Sequence, residues 1–133
     1  MTAEDRHEII NETDNDQREQ TAAVAMQIVI HAGDARNLIM EALDCIGENQ
    51  FDAAHEKLKG AQDEIRQAHI AQTEVIQAEA GGKEFAYSML FTHAQDTVMT
   101  INTELNLAKK LCGMFENVDL RFKKLEHGGG LEV

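Results

Sequence analysis

The chain has 133 residues, 43% of them apolar and 27% charged, with a formal charge of −12 at pH 7. That length suits one domain, and the apolar share is enough for a core, so the body is not a disordered chain. So acidic a surface makes nucleic acid and anionic membrane poor partners and favours a basic protein partner.

There is no proline and no tryptophan. Proline is costly inside helices and useful in turns, so its absence fits long helices with few connections. No apolar run approaches the ~20 residues that span a bilayer. The N-terminus is acidic and polar, unlike a signal peptide, and the expected location is cytoplasmic.

Residues 1–17 are polar without periodicity. Within the first 20 positions, seven acids face only Arg6 and Arg18. This stretch reads as an acidic flexible tail. A first helix is predicted from about Gln17 to Gly47, with Val24, Ile28, Ala32, Ala35, Ile39, Leu43 and Ile46 along one stripe. Gly47-Glu48-Asn49 is its stop, with Gly47 suited to a left-handed cap. A second helix runs from about Phe51 to Ala80. Phe51, Ala54, Leu58, Ala61, Ile65, Ala68, Gln72, Val75 and Glu79 keep its 3-4 rhythm, and Gly81-Gly82 ends it. A third runs from about Lys83 to Leu111, with a continuation past Gly113 to Leu125 left open by the pattern. Residues 127–133, with Gly128-Gly129-Gly130, read as a second flexible tail.

Three helices of about 30 residues with short links make an all-α, antiparallel up-down-up bundle over residues 18–126. Alanines crowd its seams. They permit close approach but bury little area each, so the core of a single chain is thin.

The third helix carries two stripes. Leu90, Ala94, Val98, Ile101, Leu105, Ala108 and Cys112 form an apolar one. Met89, His93, Asp96, Thr100, Thr103 and Leu107 are spaced 4-3-4-3-4 and form another, which carries an imidazole and a carboxylate. A helix with one apolar stripe needs one partner surface. The second stripe points to a site where this helix meets something beyond its own bundle.

Several chemistries are discounted by the sequence. Gly81-Gly82 and Gly128–Gly130 lack the lysine of a phosphate-binding loop. The one Glu-x-x-His, Glu4 to His7, falls in the acidic tail and cannot build a di-iron bundle. Ser88 is the sole serine, and no HExxH occurs. Cys45 and Cys112 lack metal-type spacing and read as small buried thiols. His7 and His127 lie in or near the tails, and His55 should face water. His31 and His69 read as satisfied histidines. The residue pattern alone leaves His93 between a packing histidine and a nucleophile.

The run His93-Ala94-Gln95-Asp96-Thr97-Val98-Met99-Thr100 resembles the active-site signature of the lactose/cellobiose-type enzyme IIA of the bacterial phosphoenolpyruvate-dependent sugar phosphotransferase system. His31–Leu43, Phe51–Leu58 and Ala68–Gly82 resemble further segments of that family, in the same order. The resemblance implies a three-helix subunit that assembles as a homotrimer. It implies that His93 is phosphorylated, on Nε2, and that Gln95 contacts the phosphoryl group. It also implies that three copies of Asp96 meet near the threefold axis and hold a divalent cation, read as Mg2+. The implied donor is the phosphocarrier HPr, and the acceptor is a cysteine of the cognate enzyme IIB. IIB serves uptake of a disaccharide of the lactose, cellobiose or chitobiose class, and contact with the membrane is indirect, through the IIC component. Many members have a histidine directly after the aspartate, where this chain has Thr97. The competing reading is a helical adaptor that keeps the fold without the relay.

Overall fold

The computed structural model describes residues 1–83 and 87–129, the side chains of Ile10 and Thr13 excepted. Three helices follow in order: α1 (Ala3–Gly47), α2 (Phe51–Ala80) and α3 (Met89–Lys124). A π-helical turn over Leu125–Gly129 continues α3. The bundle is all-helical, with α1 packed against both other helices and α2 and α3 touching each other least.

The N-terminus differs from the sequence reading. α1 starts at Ala3, not near Gln17. The cause is a capping box. The Thr2 hydroxyl accepts from the Asp5 backbone N–H at 3.1 Å, and the Asp5 carboxylate accepts from the Thr2 N–H at 2.7 Å. The Thr2 hydroxyl also donates to that carboxylate at 2.7 Å, and this bond first, then the one from the Thr2 N–H, holds the Asp5 carboxyl below its ordinary range. An Arg18–Asp14 pair one turn apart supports the same stretch.

Two chain reversals set the register. Between α1 and α2, Asn49 takes the left-handed conformation at φ 60°, and the Gln50 N–H reaches back to the Cys45 carbonyl at 2.8 Å. Asparagine thus fills the role expected of Gly47, which stays helical. After α2, Gly82 sits at φ 97°, and the Lys83 N–H donates to the Ala78 carbonyl at 2.9 Å. The predicted start of the third helix at Lys83 moves to Met89. Residues 84–86 lie outside the described residues, and Ser88 caps α3 by accepting from the Phe91 N–H at 3.1 Å. Of the predicted C-terminal tail, residues 130–133 also lie outside them.

The core follows the predicted stripes. Ile28, Ile39, Ile65, Ile101 and Leu105 are buried, each at the level of seam alanines such as Ala32, Ala61 and Ala94. Val24, Leu43 and Phe51 pack only partly, and Leu90 is exposed. Side-chain pairs tie the helices at their edges, Arg36–Glu104 exposed and His31–Glu64 half-buried. Arg36 donates to both oxygens of Glu104 at 3.0 and 2.8 Å, and His31 Nδ1 meets Glu64 at 2.7 Å.

The helix lengths leave α1 longer than its partners. α1 has 45 residues and α2 has 30. Thr21 lines one cavity with Val75, Ile76 and Glu79 near the end of α2, and with Ser88 and Gln95 near the start of α3. The residues of α1 before about Gln17 therefore run past the bundle, by about 22 Å at 1.5 Å per residue. They leave it at the end that carries His93.

Candidate functional site

His93 lies in the second turn of α3, five residues after the Ser88 cap. Its side chain is exposed, and among the described residues neither ring nitrogen has a hydrogen-bond partner. Asp96 lies one turn on, exposed and likewise without a partner for its carboxylate. The stripe they share is open in the single chain. Met89 is 76% exposed, Met99 64% and Leu107 58%. The neighbouring stripe from Ala94 to Cys112 is buried in the bundle. The geometry thus separates α3 into a face used inside the chain and a face left over.

Gln95 does not join His93. Two residues along a helix turn it by about 200°. Gln95 is half-buried and lines a cavity of about 170 Å³ with Thr21, Val75, Tyr87 and Phe91. Within one chain Gln95 and the His93 ring face different sides of α3. The threonines around His93 are also committed. Thr92 donates to the Ser88 carbonyl at 3.2 Å, and Thr100 donates to the Asp96 carbonyl at 2.9 Å. Both hydroxyls are thus bonded back to their own helix in the single chain. Thr97 donates to the carbonyl of His93 itself at 2.8 Å. Such back-bonding to the residue four earlier is common for threonine in helices. The side chain at 97 therefore braces the backbone of His93, not its ring.

A model of the lactose/cellobiose-specific IIA subunit of the phosphotransferase system matches residues 23–116. The chain belongs to this family. The lactose-specific EIIA component of Lacticaseibacillus casei is 36% identical to this IIA chain over 83% of it and 95% of the relative. The lichenan-specific phosphotransferase enzyme IIA component of Bacillus subtilis is 35% identical over 75% of this chain and 91% of the relative. Among solved structures, PtcA from S. mutans superposes with a TM-score of 0.72 at 34% identity, covering 74% of this chain and 96% of that one. The cellobiose-specific enzyme IIA from Bacillus anthracis gives 0.70 at 33% identity, covering 74% and 90%. This IIA subunit is therefore a sugar-transport phosphotransferase component. The matched segment contains His93 and Asp96. It leaves out the overhanging start of α1 and the last turns of α3. No described helix is long and apolar enough to cross a membrane.

One cluster in this IIA chain was not anticipated. His55 is exposed, as expected, but its Nε2 is paired with Glu116 across the α2–α3 seam. The buried Cys112 thiol donates to the same Glu116 oxygen at 3.4 Å and lies 3.8 Å from His55 Nε2. Burial first, and then the Glu116 carboxylate, push this thiol up to about 11. Cys112 and Glu116 are one turn apart and could have been paired from the sequence. His55 is 57 residues from Cys112, and no local pattern links them. Both cysteines are free thiols, Cys45 half-buried and Cys112 buried.

Proposed function

We propose that this subunit is a phosphohistidine carrier. His93 takes a phosphoryl group from phospho-HPr on Nε2 and passes it to the cysteine of its cognate enzyme IIB in the cytoplasm. The transfer serves uptake and phosphorylation of a disaccharide of the lactose, cellobiose or chitobiose class. The observation that carries this reading is an exposed imidazole, both nitrogens unpartnered, inside the family's matched segment.

Imidazole has an ordinary pKa near ~6.5, so the neutral nucleophile is abundant at physiological pH. Attack by its lone pair on phosphorus forms the N–P bond as the carrier's own N–P bond breaks. The reverse displacement by a thiolate of IIB frees the ring. Phosphoryl transfer asks the protein mainly for in-line positioning and charge stabilisation. The Thr97 bond to the His93 carbonyl and the Ser88 cap both fix the backbone from which the ring projects. An open face lets carrier proteins reach it.

The same open face supports a homotrimer built around α3. Met89, Met99 and Leu107 are too exposed for a single chain and suit burial against copies of themselves. Three Asp96 carboxylates brought onto one axis would repel one another. An all-oxygen donor set of that charge fits a hard divalent cation such as Mg2+, which would neutralise the repulsion. Asp96 is thus assigned to holding the cation and setting trimer geometry, and a neighbouring subunit's Gln95 to the phosphoryl group.

Incubation with phosphoenolpyruvate, enzyme I and HPr tests the proposal. The chain should gain the mass of one phosphoryl group in an acid-labile form, and His93→Ala should abolish the gain. A phosphoryl group that survives His93→Ala would refute the assignment.

A further inference from the structure

We propose that His55, Cys112 and Glu116 form a zinc site that staples α2 to α3, at the opposite end of the bundle from His93. The three donor atoms, one from each side chain, lie within 4.8 Å of one another. Tetrahedral Zn2+ with bonds of about 2.0–2.3 Å holds its donors about 3.3–3.7 Å apart. The Cys112 sulfur is already 3.4 Å from the Glu116 oxygen and 3.8 Å from His55 Nε2. The His55–Glu116 pair sits closer than two ligands on one ion, so side-chain rotation must part it while closing the His55–Cys112 gap.

The spacing is built into the helices. Cys112 and Glu116 are one turn apart on α3 and project from one face, the spacing by which two ligands on a helix share a metal. His55 comes from the second turn of α2 and supplies the ligand from across the seam. Cys112 is fully buried and anchors the site, while His55 and Glu116 reach it from the solvent side. A groove of about 400 Å³ lined by His55, Leu58, Lys59, Gln62 and Lys109 opens the imidazole to solvent, from which a water would come as fourth ligand. Lys109 is bonded to Gln62 within that groove.

The donor set selects the ion. One nitrogen, one sulfur and one carboxylate oxygen suit Zn2+ and, as a probe, Co2+. Mg2+ and Ca2+ demand oxygen alone. A thiolate and a carboxylate balance the two positive charges, so the bound site is neutral where it meets the core. On binding, the thiol proton leaves to solvent and the sulfur lone pair goes to the metal. Along α3 the cluster is 19 residues from His93, about 28 Å. It is therefore separate from the phosphoryl site. α2 and α3 share the sparsest packing of the three helix pairs, and a metal cross-link would tie them where the core does least.

Metal-free full-length protein titrated with Zn2+ by calorimetry, and with Co2+ by absorption, tests the site. One ion per chain should bind, with a thiolate-to-cobalt charge-transfer band, and Zn2+ should raise the melting temperature. His55→Ala changes an exposed side chain and Glu116→Gln a half-buried one without altering its shape, so both should fold. Each should weaken binding by on the order of 100-fold, at least the loss seen when outer-shell partners are removed. Cys112→Ser should erase the charge-transfer band. A His93→Ala/Asp96→Leu double variant should keep the one Zn2+ per chain with its cobalt charge-transfer band. Binding that His55→Ala leaves intact, or cobalt binding without the sulfur band, would overturn the proposal, as would no binding at all.

Discussion

Leu105→Ala and Leu107→Ala ask the same chemical question of the two faces of α3. Leu105 is fully buried and Leu107 is 58% exposed in the single chain. Removing a fully buried leucine side chain costs about 2–5 kcal/mol, more where the surroundings cannot collapse into the gap. The seams around Leu105 are lined by alanines, whose short side chains cannot swing in. About 3 kcal/mol is the expected cost. For a chain of this length the unfolding entropy is about 0.28 kcal/mol per K, so Leu105→Ala should lower Tm by roughly 11 °C. Leu107→Ala removes a side chain that the single chain only half covers, so in dilute protein its cost should stay under about 1 kcal/mol. In concentrated protein it should cost more, because the missing contacts are those between subunits. Helix melts by circular dichroism at two protein concentrations measure both effects. If Leu107→Ala proved the more damaging in dilute protein, or Leu105→Ala cost less than about 1 kcal/mol, the division of α3 into inner and outer faces would be wrong.

Asp96→Leu should remain trimeric in light scattering, because an apolar residue on the axis removes the carboxylate repulsion, and it should lose any response to Mg2+. A monomer would sink the axial arrangement. Gly82→Ala should destabilise by about 1–2 kcal/mol in urea titration, since φ of 97° disfavours any Cβ. Gly33→Ala, within α1 and with nothing within 4 Å of the added carbon, should instead gain roughly 0.5–1 kcal/mol. In metal-free protein Cys112 keeps its proton to about 11, against an ordinary 9.0. Across that window the native state binds more protons than the unfolded chain, so stability should fall as pH rises. Cys112→Ala should lack that fall in denaturant midpoint between those pH values, and in the parent an alkylating reagent at pH 8 should label Cys45 first.

The helical bundle and the His93–Asp96 stripe were legible because both rest on periodicity, and a spacing of three and four survives whatever the tertiary context. What failed was decided by single hydrogen bonds. The polar composition of the first 17 residues argued for a loose tail, yet Thr2 and Asp5, three apart, supply a capping box that starts α1 at Ala3. Gly47 was the natural stop, but Asn49 tolerates the left-handed conformation well enough to take the turn. Gln95 sits two residues from His93 in the chain and across the helix from it in space. The cluster of His55, Cys112 and Glu116 depends on how two helices are aligned along their length, which no local pattern encodes.

The overhang of α1 has a kinetic consequence. Its carboxylates stand ahead of the nucleophile at the same end of the molecule, like a charged mast beside a landing stage. At physiological ionic strength their field fades within ~8 Å, so they cannot draw a carrier from afar. A mast ~22 Å long carries that short-range field out to where encounters begin. A visitor with a basic face would then slide down toward His93, arriving already oriented.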